Sequence, residues 1–421
     1  MQRHPIVLYL SCILGGLLLG TLFLWAGESI RIALQPTLSS YTIEELREQR
    51  LRGFSQQFGS SDGSGSQLNP DQTYMVYGYL PYWNMSSANL HPAQTHISYF
   101  GLFVDESGRF LQEPVGDGMG FRTFNASRYS ALEEAVLLQS KKLEITIVMV
   151  QSDTIANFLS STTAQDRLIE QLKVLANPQP ISGLNIDIEY AGQVTPALRR
   201  AYVEFIRRVA EEIRDPINAG ISPNQDPFHL SIAVFGGSAS NANSFWDLVS
   251  LEPLVDSIII MAYDYHLRGS TIAGPVSPLF GSSSDRLSED IMRHISDFFK
   301  IIPGEKLVLG IPFYGYEWRT VSAVPGSPTF PNTGAVATYK RIRELLLRDD
   351  VHEQWDTTTL TPYITYQEEG QTRFITYENS QSIAFKLDLV RQTGMKGVAV
   401  WAMGYEGEYL DLWEVIEQKL R

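Results

Sequence analysis

Cysteine is nearly absent. Cys12 is the single one in 421 residues, so neither a disulfide within the chain nor a cysteine-built zinc site is available. Histidine is scarce too: there are seven, none in an H-x-H or H-x-x-x-H arrangement, which removes the common spacings of a histidine metal centre. No metal and no cofactor is expected. Positive charge is in deficit, with 33 Lys+Arg against 47 Asp+Glu and a net charge of −14 at pH 7. Nucleic-acid binding replaces counterions with Lys and Arg, so this balance argues against a nucleic-acid partner and disfavours a polyanionic lipid surface as the main target. No G-x-G-x-x-G or Walker loop follows the first apolar run of the folded region, and no internal repeat is visible. What is plentiful is apolar and aromatic: 44% and 11% of residues, against 19% charged. Such a chain buries a large core and is not globally disordered. Many aromatics with little charge also suit a groove that stacks on flat, neutral ligands such as sugar rings.

Residues 6–26 are 21 consecutive positions without a charge. At ~1.5 Å per residue they span ~30 Å, the thickness of a bilayer core. The expectation is an N-terminal transmembrane helix acting as a signal anchor over 1–27. A cleaved signal peptide is the alternative, although signal cores usually run ~7–15 residues and no A-x-A site follows. Arg3 precedes the span and Glu28 and Arg31 follow it, which places the N-terminus inside and the bulk of the chain outside. The expected location is therefore the cell membrane, single-pass, with an extracytoplasmic catalytic domain, or secretion if the segment is cleaved. Residues 28–73 read as a stalk and linker. Within them 41–52 form a short surface helix with Thr42 and Glu45 at capping-box spacing, and 59–70 form a Gly/Ser-rich tether.

From residue 74 short apolar runs alternate with amphipathic stretches. The runs cover 75–80, 96–103, 143–150, 183–189, 229–235, 255–263, 306–313 and 397–401, with helices over 131–138, 164–175, 196–212 and 288–299. Eight strands with intervening helices is the count of an α/β fold of the (β/α)8 TIM-barrel kind, expected over 74–421. An open doubly wound sheet is the alternative. The gap between the seventh and eighth strands is too long for one crossover. A small α+β insertion is expected at about 316–392, with a helix near 339–347, a hairpin over 363–377 and a last helix ending at Gly394.

The most informative segment is SGLNIDIEYAG, 182–192. Strand side chains alternate faces, so Leu184, Ile186 and Ile188 pack under helices while Asn185, Asp187 and Glu189 point into the barrel. Burying a carboxylate is unfavourable by several kcal/mol unless it is paired or neutralised. Near the C-terminal end of a barrel strand, carboxylates face the active-site mouth. Adjacent same-face residues lie ~6.7 Å apart along the backbone. Asp187 and Glu189 can thus interact, and like charges at that range raise one pKa. A protonated Glu189 would serve as a general acid toward a glycosidic oxygen. The plain alternative is an acidic strand end that pairs with a lysine or arginine.

That segment resembles the signature strand of glycoside hydrolase family 18, the chitinase-like hydrolases, whose pattern is D-x-x-D-x-D-x-E. Here the four positions are Ser182, Asn185, Asp187 and Glu189, of which the last two match. Variants ending N-I-D-x-E resemble the branch with spore-cortex and cell-wall N-acetylglucosaminidases. VYGYLPYW, IIIMAYDYH, KLVLGIPFYGYEW and GVAVWAMGYE resemble the family's first, sixth, seventh and eighth strands. The resemblance implies hydrolysis of β-linked N-acetylglucosamine-containing glycans, peptidoglycan or chitin oligomers, with retention and with the substrate's own 2-acetamido oxygen as nucleophile, an exception to the two-carboxylate rule. It implies Glu189 as acid and later base, Asp187 on the acetamido N–H, and Tyr263 on the acetamido oxygen. Asp264 would contact sugar, Trp401 would lie under the ring, and Tyr79 and Met261 would line its wall. Asn185 joins this substrate-binding set, able to hydrogen-bond but not to ionise. Its replacement of an aspartate predicts a pH profile with one fewer acidic group.

Tyr82 and Trp83 are candidate outer platforms, and Tyr314, Trp318 and Glu378 candidate wall residues. His266 either orients a carboxylate or is structural. The third strand ends VMVQS without a Gly-Gly turn, and Ile188 replaces a frequent aromatic. Together these favour a short or surface-exposed N-acetylated polysaccharide or oligosaccharide over crystalline chitin. The competing functions are a catalytically silent chitinase-like lectin at the cell surface and a scaffold whose barrel binds a protein.

Overall fold

The computed structural model describes residues 73–113, 115–176, 180–213, 228–281 and 289–421. The expected anchor at 6–26, the stalk and the tether lie outside the described residues. Among the described residues no helix is long and apolar enough to cross a membrane.

Eight parallel strands close into a barrel: β1 (Met75–Pro81), β2 (His96–Phe103), β3 (Lys142–Met149), β4 (Ile181–Ile188), β5 (His229–Phe235), β6 (Ser257–Met261), β7 (Leu307–Pro312) and β13 (Gly397–Trp401). Their order around the barrel is β1-β13-β7-β6-β5-β4-β3-β2, each hydrogen-bonded to the next. This is the expected barrel. The longer helices between β3 and β5 bury an apolar stripe against the barrel. In the helix Pro196–Ile213, Tyr202, Val203, Phe205, Ile206, Val209 and Ile213 recur at three- and four-residue spacing and are buried. Proline stands at its first position, where a missing N–H does not matter. The helix Ile291–Phe299 starts where Asp290 accepts from the Arg293 N–H at 2.8 Å. The helix Ser380–Thr393 opens with a capping box between Asn379 and Ser382 and stops at Gly394, whose φ of 66° suits glycine.

Five further strands form a second, antiparallel sheet: β8 (Tyr314–Thr320), β9 (Ala335–Thr338), β10 (His352–Asp356), β11 (Thr361–Glu368) and β12 (Gln371–Thr376), in the order β10-β11-β12-β8-β9. With the helix Tyr339–Leu345 they make the α+β insertion. It begins at Tyr314, just before the expected start near 316; the run at 306–313 holds β7 alone, while the segment KLVLGIPFYGYEW spans two strands in two sheets. Between them Phe313 is buried and its N–H donates to the Trp401 carbonyl at 2.7 Å.

Inside the barrel the layers differ in chemistry. Toward the C-terminal end Tyr79, Phe100, Val148, Ile259 and Ala399 belong to one apolar cluster, against which Trp401 packs. A polar layer lies among them: Ser98 with Thr146 at 2.7 Å, and Asn185 with Ser231 at 2.9 Å. At the N-terminal end Glu144 is fully buried beneath Tyr77, His96 and His229.

Candidate active site

The C-terminal ends of the barrel strands and the first strand of the insertion enclose a cavity of about 550 Å³. Six of the eight barrel strands, β1, β2, β4, β5, β6 and β13, bring residues to it. Tyr79 comes from β1, Asp187 and Glu189 from β4 and its end, Met261, Tyr263 and Asp264 from β6 and its end, and Trp401 from β13. Tyr314 of β8 adds the wall contributed by the insertion. Seven of the eight expected site residues therefore line one cavity.

The eighth, Asn185, is fully buried and is not among the lining residues. Its Oδ1 accepts from the Tyr79 hydroxyl at 3.1 Å and its Nδ2 donates to Ser231 Oγ at 2.9 Å. Both ends of the amide are engaged one layer below the cavity. Asp187, the next residue on that face, is 5% exposed, and its Oδ1 is a buried atom without a hydrogen-bond partner. Burial, and then the charge of Glu189, push the Asp187 carboxyl well above the ordinary range. Burial, and then the charge of Asp264, push Glu189 up to about 7.

Asp264 itself has φ 62°, a left-handed conformation, and its side chain meets the insertion. There it accepts from the hydroxyls of Tyr314 and of Tyr316, the latter at 2.9 Å. Burial raises its pKa, and those two hydrogen bonds pull it partly back. Tyr263 lies edge-on to Tyr314, with ring centroids 6.2 Å apart. Its ring needs the absence of a side chain at Gly310, where a Cβ would come within 3.0 Å of Tyr263 Cε1 and 2.5 Å of the Ile260 carbonyl. Burial, and then Asp187, keep the Tyr263 hydroxyl protonated well past its ordinary range. Trp401 meets Tyr79 and Phe100 edge-on, at 5.7 and 4.6 Å, which fixes the indole at the cavity floor.

Other expectations fall differently. Trp318 is fully buried and donates to the Leu267 and Arg268 carbonyls at 3.2 Å, and Glu378 is paired with Lys386 at 2.6 Å, both fully buried. Neither lines the cavity. His266 Nδ1 meets the Pro275 carbonyl at 2.9 Å and orients no carboxylate. Trp83 is exposed and Tyr82 binds the Gly116 carbonyl, so both stand outside the cavity. Sequence reasoning missed Phe100 and a whole side of the wall: Phe235, Gly236, Gly237, Tyr265, Glu289 and His294. The Phe-Gly-Gly at the end of the fifth apolar run was the available signal for part of it.

A parallel barrel with two interacting, proton-hungry carboxyls and a tyrosine at its C-terminal mouth is a frame for acid–base chemistry on a glycosidic bond. The sequence model described as Glycosyl hydrolases family 18 matches residues 75–406, and the chain belongs to that family. It is a glycosidase of the chitinase-like kind. The putative sporulation-specific glycosylase YdhD of Bacillus subtilis is 26% identical over 339 residues, covering 80% of this chain and 69% of that protein. A class V chitinase of Arabidopsis thaliana is 27% identical over 321 residues, covering 74% and 80%. Among solved structures, a class V chitinase from Nicotiana tobaccum in complex with NAG4 superposes with a TM-score of 0.69 at 19% identity, covering 83% of this chain and 99% of that one.

Proposed function

We propose that the protein cleaves β-linked N-acetylglucosamine-containing glycans, peptidoglycan or chitin oligomers, by substrate-assisted catalysis with retention. The observation that carries this reading is the pairing of Asp187, whose partnerless buried Oδ1 belongs to the cavity wall, with Glu189, held near half protonation at neutral pH. A ring stacked on Trp401 brings its 2-acetamido group between Asp187 and Tyr263. Asp187 accepts from the acetamido N–H, and the Tyr263 hydroxyl donates to the acetamido oxygen. That oxygen attacks the anomeric carbon. The glycosidic bond breaks, and Glu189 gives its proton to the leaving oxygen. The positive oxazolinium ion forms beside the Asp187 carboxylate. Glu189, now a carboxylate, takes a proton from water as that water attacks the same carbon and restores the original configuration. Asp264, held by two tyrosine hydroxyls, contacts the sugar at the same subsite, and Tyr79 and Met261 close its wall. A tether and membrane anchor ahead of residue 74 would hold this domain outside the cytoplasm, facing an envelope glycan.

The names of the relatives divide between glycosylases and chitinases, which leaves two substrates to be separated by experiment. Full-length protein and its Glu189→Gln variant are incubated with chitooligosaccharides and with purified peptidoglycan, and products are read by mass spectrometry. New reducing ends ending in N-acetylglucosamine, from the wild type alone, are expected. Binding by both proteins with cutting by neither would overturn the reading in favour of a lectin.

A further inference from the structure

Trp401 ends β13 and Glu189 follows β4, and these two strands face each other across the barrel. With one ring on Trp401 and the scissile oxygen at Glu189, the same cavity leaves room for a next sugar at the ends of β5 and β6. The wall there is built by Phe235, Gly236, Gly237, Tyr265, Glu289 and His294. The two glycines keep it open. A Cβ on Gly236 would stand 3.2 Å from the Tyr265 hydroxyl and 3.3 Å from His294 Nδ1, in the space beside that pair.

Glu289 is the one carboxyl group of this wall; Asp187, Glu189 and Asp264 line the same cavity at the catalytic centre, and among the described residues none of the lining side chains is a lysine or arginine. His294 does not supply the missing cation. Burial lowers its pKa, against the pull of Glu289 and Asp290, and its Nδ1 shares a 2.8 Å hydrogen bond with Tyr265. Its Nε2 is 3.7 Å from Glu289 Oε2, beyond hydrogen-bond reach. Glu289 itself is well exposed, with 64% of its side-chain surface accessible.

We propose that this wall selects a leaving sugar with a free 2-amino group, so that the enzyme cuts preferentially between an N-acetylated residue and a de-N-acetylated one. The inference rests on the substrate-assisted reading above, which requires an acetamido group on the ring over Trp401 but demands none on the next. An ammonium beside Glu289 gains a charge-assisted contact. A neutral acetamido gains none, and a carboxylate or phosphate substituent is repelled. For an exposed carboxylate the expected preference is about 1.5- to fivefold.

The test digests randomly half-acetylated chitosan and fully acetylated chitopentaose with the full-length protein, and sequences the product ends by mass spectrometry. Glucosamine should be enriched about 1.5- to fivefold over chance at the new non-reducing end, with the new reducing end always N-acetylated. Glu289→Gln should bring that ratio to chance, and Glu289→Lys below it. The ratio is internal to each digest, so a change in overall rate does not imitate the effect. Random non-reducing ends from the wild type, or equal enrichment in Glu289→Gln, overturn the proposal while leaving the function intact. Failure to cut chitopentaose as well overturns this inference together with the chitin-oligomer reading, and failure on peptidoglycan besides overturns the function.

Discussion

The two ends of the barrel bury carboxylates in opposite ways. At the N-terminal end Glu144 is fully buried, yet Tyr77 donates to one oxygen at 2.9 Å and His229 Nδ1 meets the other at 2.8 Å. His229 is held in turn by Ser257 at 2.8 Å. Burial alone would raise the Glu144 pKa, but His229, His96 and Tyr77 outweigh it and hold it below the ordinary value. At the C-terminal end Asp187 is nearly as deep, one of its oxygens has no partner, and its nearest charged neighbour is another acid. The first arrangement makes a charge comfortable and stabilises the fold. The second makes a charge uncomfortable and leaves room for a substrate to relieve it.

The contrast is open to attack at four points. The largest effect is expected from Glu189→Gln, which removes the transferable proton. Initial rates of reducing-end formation should fall by about 10²–10⁴-fold while glycan binding persists. Next is Glu144→Leu, which strands the Tyr77 hydroxyl and the His229 imidazole. It should lose about 3–5 kcal/mol of stability in denaturant titrations at pH 7. Because the folded Glu144 pKa lies below its unfolded value, that difference is present above the unfolded pKa and vanishes as pH falls through the folded one.

Asp187→Asn should do the reverse. It abolishes the unfavourable buried charge, so the inactive variant should be about 1–2 kcal/mol more stable than wild type near pH 8. The sign follows from a raised folded pKa: wild-type stability is lost as pH rises through it, so the gain should fade toward pH 4. A destabilised Asp187→Asn would break the comparison between the two ends. The smallest effect concerns Glu189 again. As a general acid with a pKa of about 7 it should make kcat/KM fall above neutral pH. Asp264→Asn removes a charge that raises it, so the alkaline limb should move to lower pH, whatever happens to the maximum rate.

Much of this was legible in the sequence because it rests on alternation. β2, β5 and β13 have the residues their apolar runs mark out, and Leu184, Ile186 and Ile188 are buried opposite Asn185 and Asp187. The run at 306–313 marks β7, but alternation does not show that the chain leaves the barrel at Phe313 and enters a second sheet at Tyr314. It also says nothing of depth. Asn185 and Asp187 share a face, yet the first is consumed by Tyr79 and Ser231 and only the second reaches the cavity. The remaining parts are contacts between distant residues. His229 meets Glu144 across 85 positions and Tyr77 meets it across 67, while His294 meets Tyr265 across 29. No local pattern links such pairs; the closure of the barrel does.

The left-handed Asp264 and its two tyrosine partners bear on how such an enzyme could be remodelled. Tyr314 and Tyr316 belong to the insertion, not to the barrel, yet they hold a carboxylate whose charge adds to burial in raising the pKa of Glu189. The insertion is therefore no detachable module. A recombination event or a designed chimera that exchanges it for another would carry the working pH of the catalyst along with the shape of its cleft, and selection on either trait would drag the other with it.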